Sequence, residues 1–244
     1  MDRRPADLSP AVYLGLAFIP ILIQVTVRLL DPELTVYKTI FNGEMGVIEL
    51  GTAFLLLAAT VMLAQEARRE SKRGERANAI LFGVLALGAF LFMGEEISWG
   101  QWFFRWDSPE WFQQYNQQGE TNLHNLEFVK KDIPKWIVVL GIGYFGLIMP
   151  LLRKGGDALR PGGRVGPFDA RVLPTHVCVP IAAIVVVTHL TVKFLWWFAG
   201  IEVEHITGID LREANEFYIA MFGLIYTLSV RKRFDAARAL PAGR

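Results

Sequence analysis

The chain has 244 residues, of which 52% are hydrophobic, and its formal net charge is only +1. Its mean hydropathy of +0.32 excludes a disordered chain and favours an integral membrane protein over a soluble one. The single cysteine, Cys178, excludes an internal disulfide, and its place in an apolar run predicts a small buried side chain.

Six apolar stretches follow one another, and we interpret each as crossing about 30 Å of hydrocarbon at about 1.5 Å per helical residue. They cover residues 11–30, 47–65, 79–100, 134–152, 174–198 and 215–230. The first stretch lacks a small-residue cleavage site, so we expect it to be retained rather than removed as a signal peptide. The predicted fold is therefore all-α, a six-helix transmembrane bundle in which residues 1–244 form a single integral membrane domain.

Basic residues concentrate in four segments that lie between or beyond these spans, at residues 3–4, 68–76, 153–171 and 231–244. The positive-inside rule places such segments in the cytoplasm, so both termini are predicted to be cytoplasmic and the protein to lie in the inner (plasma) membrane. This topological role accounts for the basic loops, and we expect no nucleic-acid partner.

The predicted outward connections differ from the basic ones, because they are acidic or aromatic. The connection between helices 3 and 4, residues 101–133, is the longest and contains tryptophan, phenylalanine and tyrosine side chains at close spacing. This composition is typical of a segment that lies in the membrane interface. Function is therefore expected on the outward face.

Ionisable residues near the outward ends of four spans are the strongest functional signal. Glu95 and Glu96 end the third span, and His189 lies at a similar depth in the fifth. Glu49 and Glu216 lie near the outer ends of the second and sixth spans. Charges at this depth are costly unless they are paired, hydrated or bound to a cation, so they are candidates for a site. Successive helical residues point about 100° apart, so only one of Glu95 and Glu96 is expected to face this cluster.

The long outward connection adds a second polar motif, Gln-Gly-Glu-Thr-Asn-Leu-His-Asn at residues 118–125. If this segment is helical, Glu120 and His124 share one face at i and i+4. That spacing suits two ligands of one metal ion.

This motif and the earlier one, Gly-Glu-Glu-Ile-Ser-Trp-Gly-Gln at residues 94–101, resemble the signature of an uncharacterised family of bacterial polytopic membrane proteins. The resemblance covers roughly residues 44–126 and implies that Glu95, Glu96, Glu120 and His124 belong together, but it implies no activity. The chain is more loosely similar to seven-helix membrane hydrolases of the alkaline ceramidase and adiponectin-receptor type, which hold zinc with three histidines. It departs from them in its scattered histidines and six predicted spans.

Two functions fit these residues. In the first, the protein is a metal-dependent hydrolase or oxidoreductase that acts on a lipid-like substrate of the outer leaflet through a metal-bound water or oxidant, with Glu96 as general base and His124 in catalysis. Its zinc, manganese or iron ligands would come from the carboxylates and histidines Glu49, Glu95, Glu120, His124, His189 and Glu216. In the second, the same groups form a structural network in an accessory or scaffold subunit of a membrane complex. Transport is disfavoured, because the cytoplasmic halves of the spans are almost wholly apolar.

Overall fold

The computed structural model describes residues 7–31, 33–41, 46–116, 118–123, 126, 132–153, 163–201 and 208–239. The chain is helical in these ranges apart from one short β-hairpin and the connecting turns. Long helices are α1 (Pro10–Leu30), α2 (Val47–Lys72), α3 (Arg76–Glu96), α7 (Val179–Ala199) and α8 (Leu211–Arg238). Two short helices, α4 (Gln101–Phe104) and α5 (Glu110–Tyr115), follow α3. Helix α6 runs from Asp132–Gly141 through a π-helical segment, Ile142–Ile148, to Met149–Leu152.

Five helices in the described part of the chain are long and apolar enough to cross a membrane. They cover Pro10–Leu30, Val47–Lys72, Arg76–Glu96, Ile133–Leu152 and Ala170–Ala199. By length and composition they indicate a multi-pass membrane protein. Helix α8 is 28 residues long, but charged residues at both of its ends make it less apolar than these five.

Helix α8 forms the centre of the bundle, where it packs against α2 and α7. Its fully buried side chains, including Ala214 and Ile225, join Ile181 and Val185 of α7 in the main apolar core. Helix α6 packs closely against this pair at Gly146, because a glycine has no side chain there. A Cβ atom at this position would lie only 2.5 Å from the Phe222 ring. Close helix contact through a small residue is the usual packing device within membranes.

One end of the bundle, which we call the basic end, comprises residues 7–8, 65–78, 163–178 and 226–239. The β-hairpin (Arg164–Val165 with Phe168–Asp169) lies here, and the Asp169 N–H donates to Asn78 Oδ1 at the start of α3. The first described residue, Asp7, accepts hydrogen bonds from Thr175 and Ser229, at 2.7 Å each. Both ends of the described chain therefore lie on the same side of the bundle.

The opposite end, which we call the acidic end, comprises residues 46–49, 95–123, 135–136 and 208–216. Here Lys135 of α6 meets Glu216 of α8, and Glu95 of α3 meets Leu123 in the connection that follows α5. The basic end contains segments that the sequence analysis predicted to be cytoplasmic, and the acidic end contains segments that it predicted to face outward.

Helix bounds differ from the predicted spans where polar contacts extend or end a helix. The second span was predicted to end at residue 65, but α2 continues to Lys72, because Glu66 and Glu70 are paired with arginines there. The third was predicted to reach residue 100, but α3 ends at Glu96. The reason is a left-handed turn at Ser98, Trp99 and Gly100.

Candidate functional site

Helix α3 ends in a turn of three successive residues with left-handed backbone conformation. Their φ angles are 44° at Ser98, 56° at Trp99 and 86° at Gly100. Only Gly100 adopts this region without a steric penalty, which for other residues is about 1–2 kcal/mol each. The turn folds the Trp99 ring back onto α3, where a Cβ atom at Gly94 would lie 2.7 Å from it. Such strain persists only where surrounding contacts hold it in place.

Those contacts come from the second motif, through the buried carboxylate of Glu120. Its Oε2 accepts hydrogen bonds from Ser98 Oγ and Asn122 Nδ2, both at 2.7 Å, and its Oε1 accepts one from Trp102 Nε1 at 3.1 Å. Asn116 Nδ2 in turn donates to Asn122 Oδ1 at 2.9 Å. The two sequence motifs are therefore joined directly, through Ser98 and Glu120.

Glu95 and Gln101 complete this junction by accepting hydrogen bonds from the backbone of the second motif. Glu95 Oε2 accepts from the Leu123 N–H at 2.7 Å, and its Oε1 accepts from Trp99 Nε1 at 2.9 Å. Gln101 Oε1 accepts from the Thr121 N–H at 2.8 Å. We call this set the motif clamp; it comprises Glu95, Ser98, Gln101, Asn116, Glu120 and Asn122.

The neighbouring carboxylate, Glu96, points away from the clamp, as the 100° rule predicted. It interacts electrostatically with the carboxylates of Glu216 and Glu49 and with the Lys135 ammonium. Lys135 Nζ donates to Glu216 Oε1 at 2.7 Å and to the Arg212 carbonyl at 3.2 Å. We call Glu49, Glu96, Lys135 and Glu216 the carboxylate cluster.

Sequence reasoning missed Lys135, and its position was the available signal. It lies one residue inside the predicted fourth span, at the outward end where the carboxylates were expected. Glu95, the glutamate that does not face this cluster, accepts a hydrogen bond from the backbone N–H of Leu123 instead.

His189 is buried, with 2% of its surface exposed, and does not face lipid. Its ring packs edge-on against Trp136 of α6, with 4.5 Å between ring centroids. Nearby on α8, Asn215 Nδ2 donates to the Val185 carbonyl of α7 at 2.8 Å. The histidine thus lies at the α6–α7 contact.

The six predicted metal ligands fall in different places. Glu95 and Glu120 belong to the motif clamp, Glu49 and Glu216 to the carboxylate cluster, and His189 to the α6–α7 contact, while His124 lies outside the described residues. Residues 118–123 form turns and bends, so the helical spacing of Glu120 and His124 is not met in the part that the structure describes. Within the described ranges, no group of three or more histidine, cysteine, aspartate or glutamate side chains is arranged to hold a metal ion.

A cavity of about 1680 Å³ runs along the bundle from the basic end to the carboxylate cluster, and we call it the lateral groove. One wall is α3 and the other is α6, while α2, α8 and the end of α7 provide the floor. Wall residues such as Val84, Ile137 and Phe145 are exposed on the outer surface of the bundle. The groove therefore opens sideways, towards the surface that a membrane would cover.

The groove is apolar along most of its length and polar at one end. From Leu81 to Glu95 on α3 it extends about 21 Å, at about 1.5 Å per residue. Its volume exceeds the roughly 300–1,000 Å³ of pockets for drug-sized ligands. Its polar end is lined by four carboxylates, three cations and two tryptophans: Glu95, Glu96, Asp210, Glu216, Lys135, Lys193, Arg212, Trp99 and Trp196.

The basic end contains a dense network of ion pairs that sequence reasoning missed, because it treated this side as basic connectors. Glu66 and Glu70 are almost fully buried, with 1% and 2% of their surface exposed. Arg238 Nη2 donates to both of them, at 2.6 and 2.9 Å, and Arg69 also donates to Glu66 at 2.6 Å. Asn78 completes the coordination of Glu70.

A second group at this end surrounds the fully buried guanidinium of Arg233. It donates to the carbonyls of Leu173 and Ser229 and lies 3.7 Å from Asp7. Beside it, Asp169 is paired with Arg171. Burial disfavours the charged form of Asp169, but the hydrogen bonds and charge of Arg171 outweigh burial and lower the pKa of this carboxyl.

Comparison of the chain with protein-family models, with curated proteins and with solved structures finds no match. The resemblance of the two motifs to a bacterial family stays a prediction.

Proposed function

We propose that this chain is a six-span protein of the inner (plasma) membrane that binds a lipid-like molecule of the outer leaflet. Its alkyl chain would lie in the lateral groove, and its polar head would meet the carboxylate cluster. The observation that carries this proposal is the groove itself, which is long, apolar, open sideways and polar only at one end. An amphiphile has the same distribution of polarity.

The proposed topology has both termini in the cytoplasm, with α8 as the sixth span and α4–α5 in the outward interface. It is supported by the basic residues that gather at one end, and by the exposed aromatic rings of α4, α5 and the turn between them, such as Phe104 and Trp106. Cysteine labelling tests the topology well, since the native Cys178 is buried. Ser71→Cys should be protected from an impermeant maleimide in intact cells, and Glu110→Cys should be labelled. The reverse pattern would overturn the orientation.

Two glycines allow a sharp test of groove occupancy. Gly88 on α3 and Gly141 on α6 both line the groove, and a Cβ atom at either meets no atom within 4 Å. Gly88→Phe should therefore place a ring in the groove and obstruct it at this point. Gly83→Phe is the matched control, because Gly83 is on the same helix, has the same open space and does not line the groove.

Native mass spectrometry of the purified full-length protein would count the lipids that remain bound after mild delipidation. We expect the parent and Gly83→Phe to retain at least one lipid, and Gly88→Phe and Gly141→Phe to lose it. Equal retention by all four proteins would contradict the proposal.

The accessory or scaffold function remains the second candidate, because the motif clamp favours it. All of the clamp's carboxylates and amides are engaged within the protein, as expected of a network that holds its own fold together. Exposed aromatic residues of α4, α5 and the turn between them would then face a partner membrane protein. A stable complex recovered with the parent chain but lost when Trp106 or Trp111 is changed to alanine would favour this role.

Catalysis with zinc, manganese or iron stays a prediction. Elemental analysis of the purified protein, with Glu49→Gln and Glu216→Gln as variants, tests it directly. Stoichiometric metal that both variants lose would support the enzyme hypothesis, and metal-free parent protein that still binds lipid would leave binding as the function.

A further inference from the structure

The carboxylates at the polar end of the lateral groove differ in how many donors and cations the protein gives them. Asp210 caps α8 and is paired with Arg212 at 3.3 Å, and Glu216 is paired with Lys135 at 2.7 Å. Glu95 accepts two N–H donors in the motif clamp. These three carboxylates are therefore supported by the protein itself.

Glu96 is different. Among the described residues, its carboxyl group accepts no hydrogen bond, and it lines the groove. The charges that act on it most strongly are the carboxylates of Glu216, Glu49 and Glu213 and the ammonium of Lys135. Lys135 is already engaged by Glu216 and by the Arg212 carbonyl. Glu96 is only partly exposed, and a carboxylate so placed is costly unless it takes up a proton or a further donor or cation reaches it.

We infer that the lipid-like molecule in the groove carries a primary amine at its head, whose ammonium pairs with Glu96. This inference rests on the proposed function and adds the chemical class of the head. An ammonium supplies both the missing positive charge and hydrogen-bond donors. Trp99 and Trp196, which line the same end, offer ring faces that attract cations.

An anionic head is disfavoured at this position by simple electrostatics. Two like charges about 4 Å apart repel by about 1 kcal/mol in water and by about 4 kcal/mol at the effective dielectric constant of a partly buried site. The occupant is therefore an amine-bearing bilayer phospholipid of the phosphatidylethanolamine type rather than an acidic one of the phosphatidylglycerol type.

The test is a competition between these two lipids with identical acyl chains, measured on the full-length protein by native mass spectrometry. We expect the parent protein to retain the ethanolamine lipid over the glycerol lipid by about tenfold, which corresponds to about 1.4 kcal/mol. Glu96→Gln should bring the ratio close to one. Glu33→Gln removes the same charge from an exposed position outside the groove and should leave the ratio unchanged.

A parent protein without preference, or with preference for the glycerol lipid, would overturn the inference, and this result does not depend on how any variant folds. Retention of the tenfold preference in folded Glu96→Gln would also overturn it. If Gly88→Phe removes bound lipid while Glu96→Gln keeps the preference, the headgroup inference fails and the proposed function stands. If Gly88→Phe retains lipid, or a second copy of the chain occupies the groove, the proposed function fails instead.

Discussion

In the part of the chain that the structure describes, the buried glutamates of the basic end are paired with arginines, whereas Glu96 at the acidic end forms no ion pair. At the basic end, Glu66 and Glu70 share Arg238, and Arg69 adds a second guanidinium. At the acidic end, Glu96 lies among other carboxylates near a lysine that is already paired. Buried charges that are fully paired serve folding, whereas an uncompensated one at the end of an open groove points to a ligand.

The largest expected effect comes from breaking the network at the basic end. Arg238→Leu would leave Glu66 and Glu70 buried without their shared partner, which typically costs about 3–5 kcal/mol. Arg73→Leu is the control, because Arg73 is 57% exposed and lies 3.9 Å from Glu70, so it should cost less than about 1 kcal/mol. Unfolding can be followed by thiol-dye labelling of the buried Cys178. Similar losses for the two variants would show that this end is not a structural network.

A smaller effect is expected where α3 turns. Gly94→Ala would place a methyl group 2.7 Å from the Trp99 ring, and overpacking of this kind costs about 1–3 kcal/mol. The same change at Gly83 meets open space, so Gly83→Ala should be neutral or stabilising by up to about 1 kcal/mol. The difference between the two midpoints of thermal unfolding is the measurement. Equal unfolding temperatures for Gly94→Ala and Gly83→Ala would contradict the close packing of the Trp99 ring against Gly94.

The smallest loss of stability is expected at the carboxylate that we assign to a ligand. Glu96→Gln removes no hydrogen bond among the described residues and removes a charge that neighbouring carboxylates repel, so the variant should be no less stable to unfolding than the parent. Glu120→Gln makes the same isosteric change in the motif clamp. The amide keeps one acceptor oxygen of two, so its NH2 group opposes either Trp102 or the pair Ser98 and Asn122, which should cost about 1–3 kcal/mol. Greater destabilisation by Glu96→Gln than by Glu120→Gln would reverse our assignment of the two residues.

Hydropathy predicted five of the long helices because burial in lipid depends on local composition, and each apolar run carries that information by itself. The divergence of Glu95 and Glu96 was also predictable, since helical geometry alone requires it. The ends of α2 and α8 were not, because the pairing of Glu66 with Arg238 joins residues far apart in the chain. In a hydropathy profile, charged residues such as these indicate only where a span ends and not which residues they pair with.

The candidate site was predicted in part, for a related reason. Glu49, Glu96 and Glu216 share a depth in the bundle, and depth can be counted along each helix. Depth does not show which way a side chain points, so the sequence analysis grouped Glu95 and Glu120 with these residues. In the structure, the strained turn at Ser98 brings both into the motif clamp. The lateral groove could not be predicted, because it depends on the distance between α3 and α6. The sequence of either helix alone does not determine that distance.

The most direct test of this account is an experimental structure of the parent protein in a lipid nanodisc that contains phosphatidylethanolamine. We predict continuous elongated density between α3 and α6, alongside Gly88 and Gly141, that ends within hydrogen-bonding distance of the Glu96 carboxyl group. An empty or collapsed groove, with α3 packed directly on α6 and Glu96 paired with a protein cation, would contradict it.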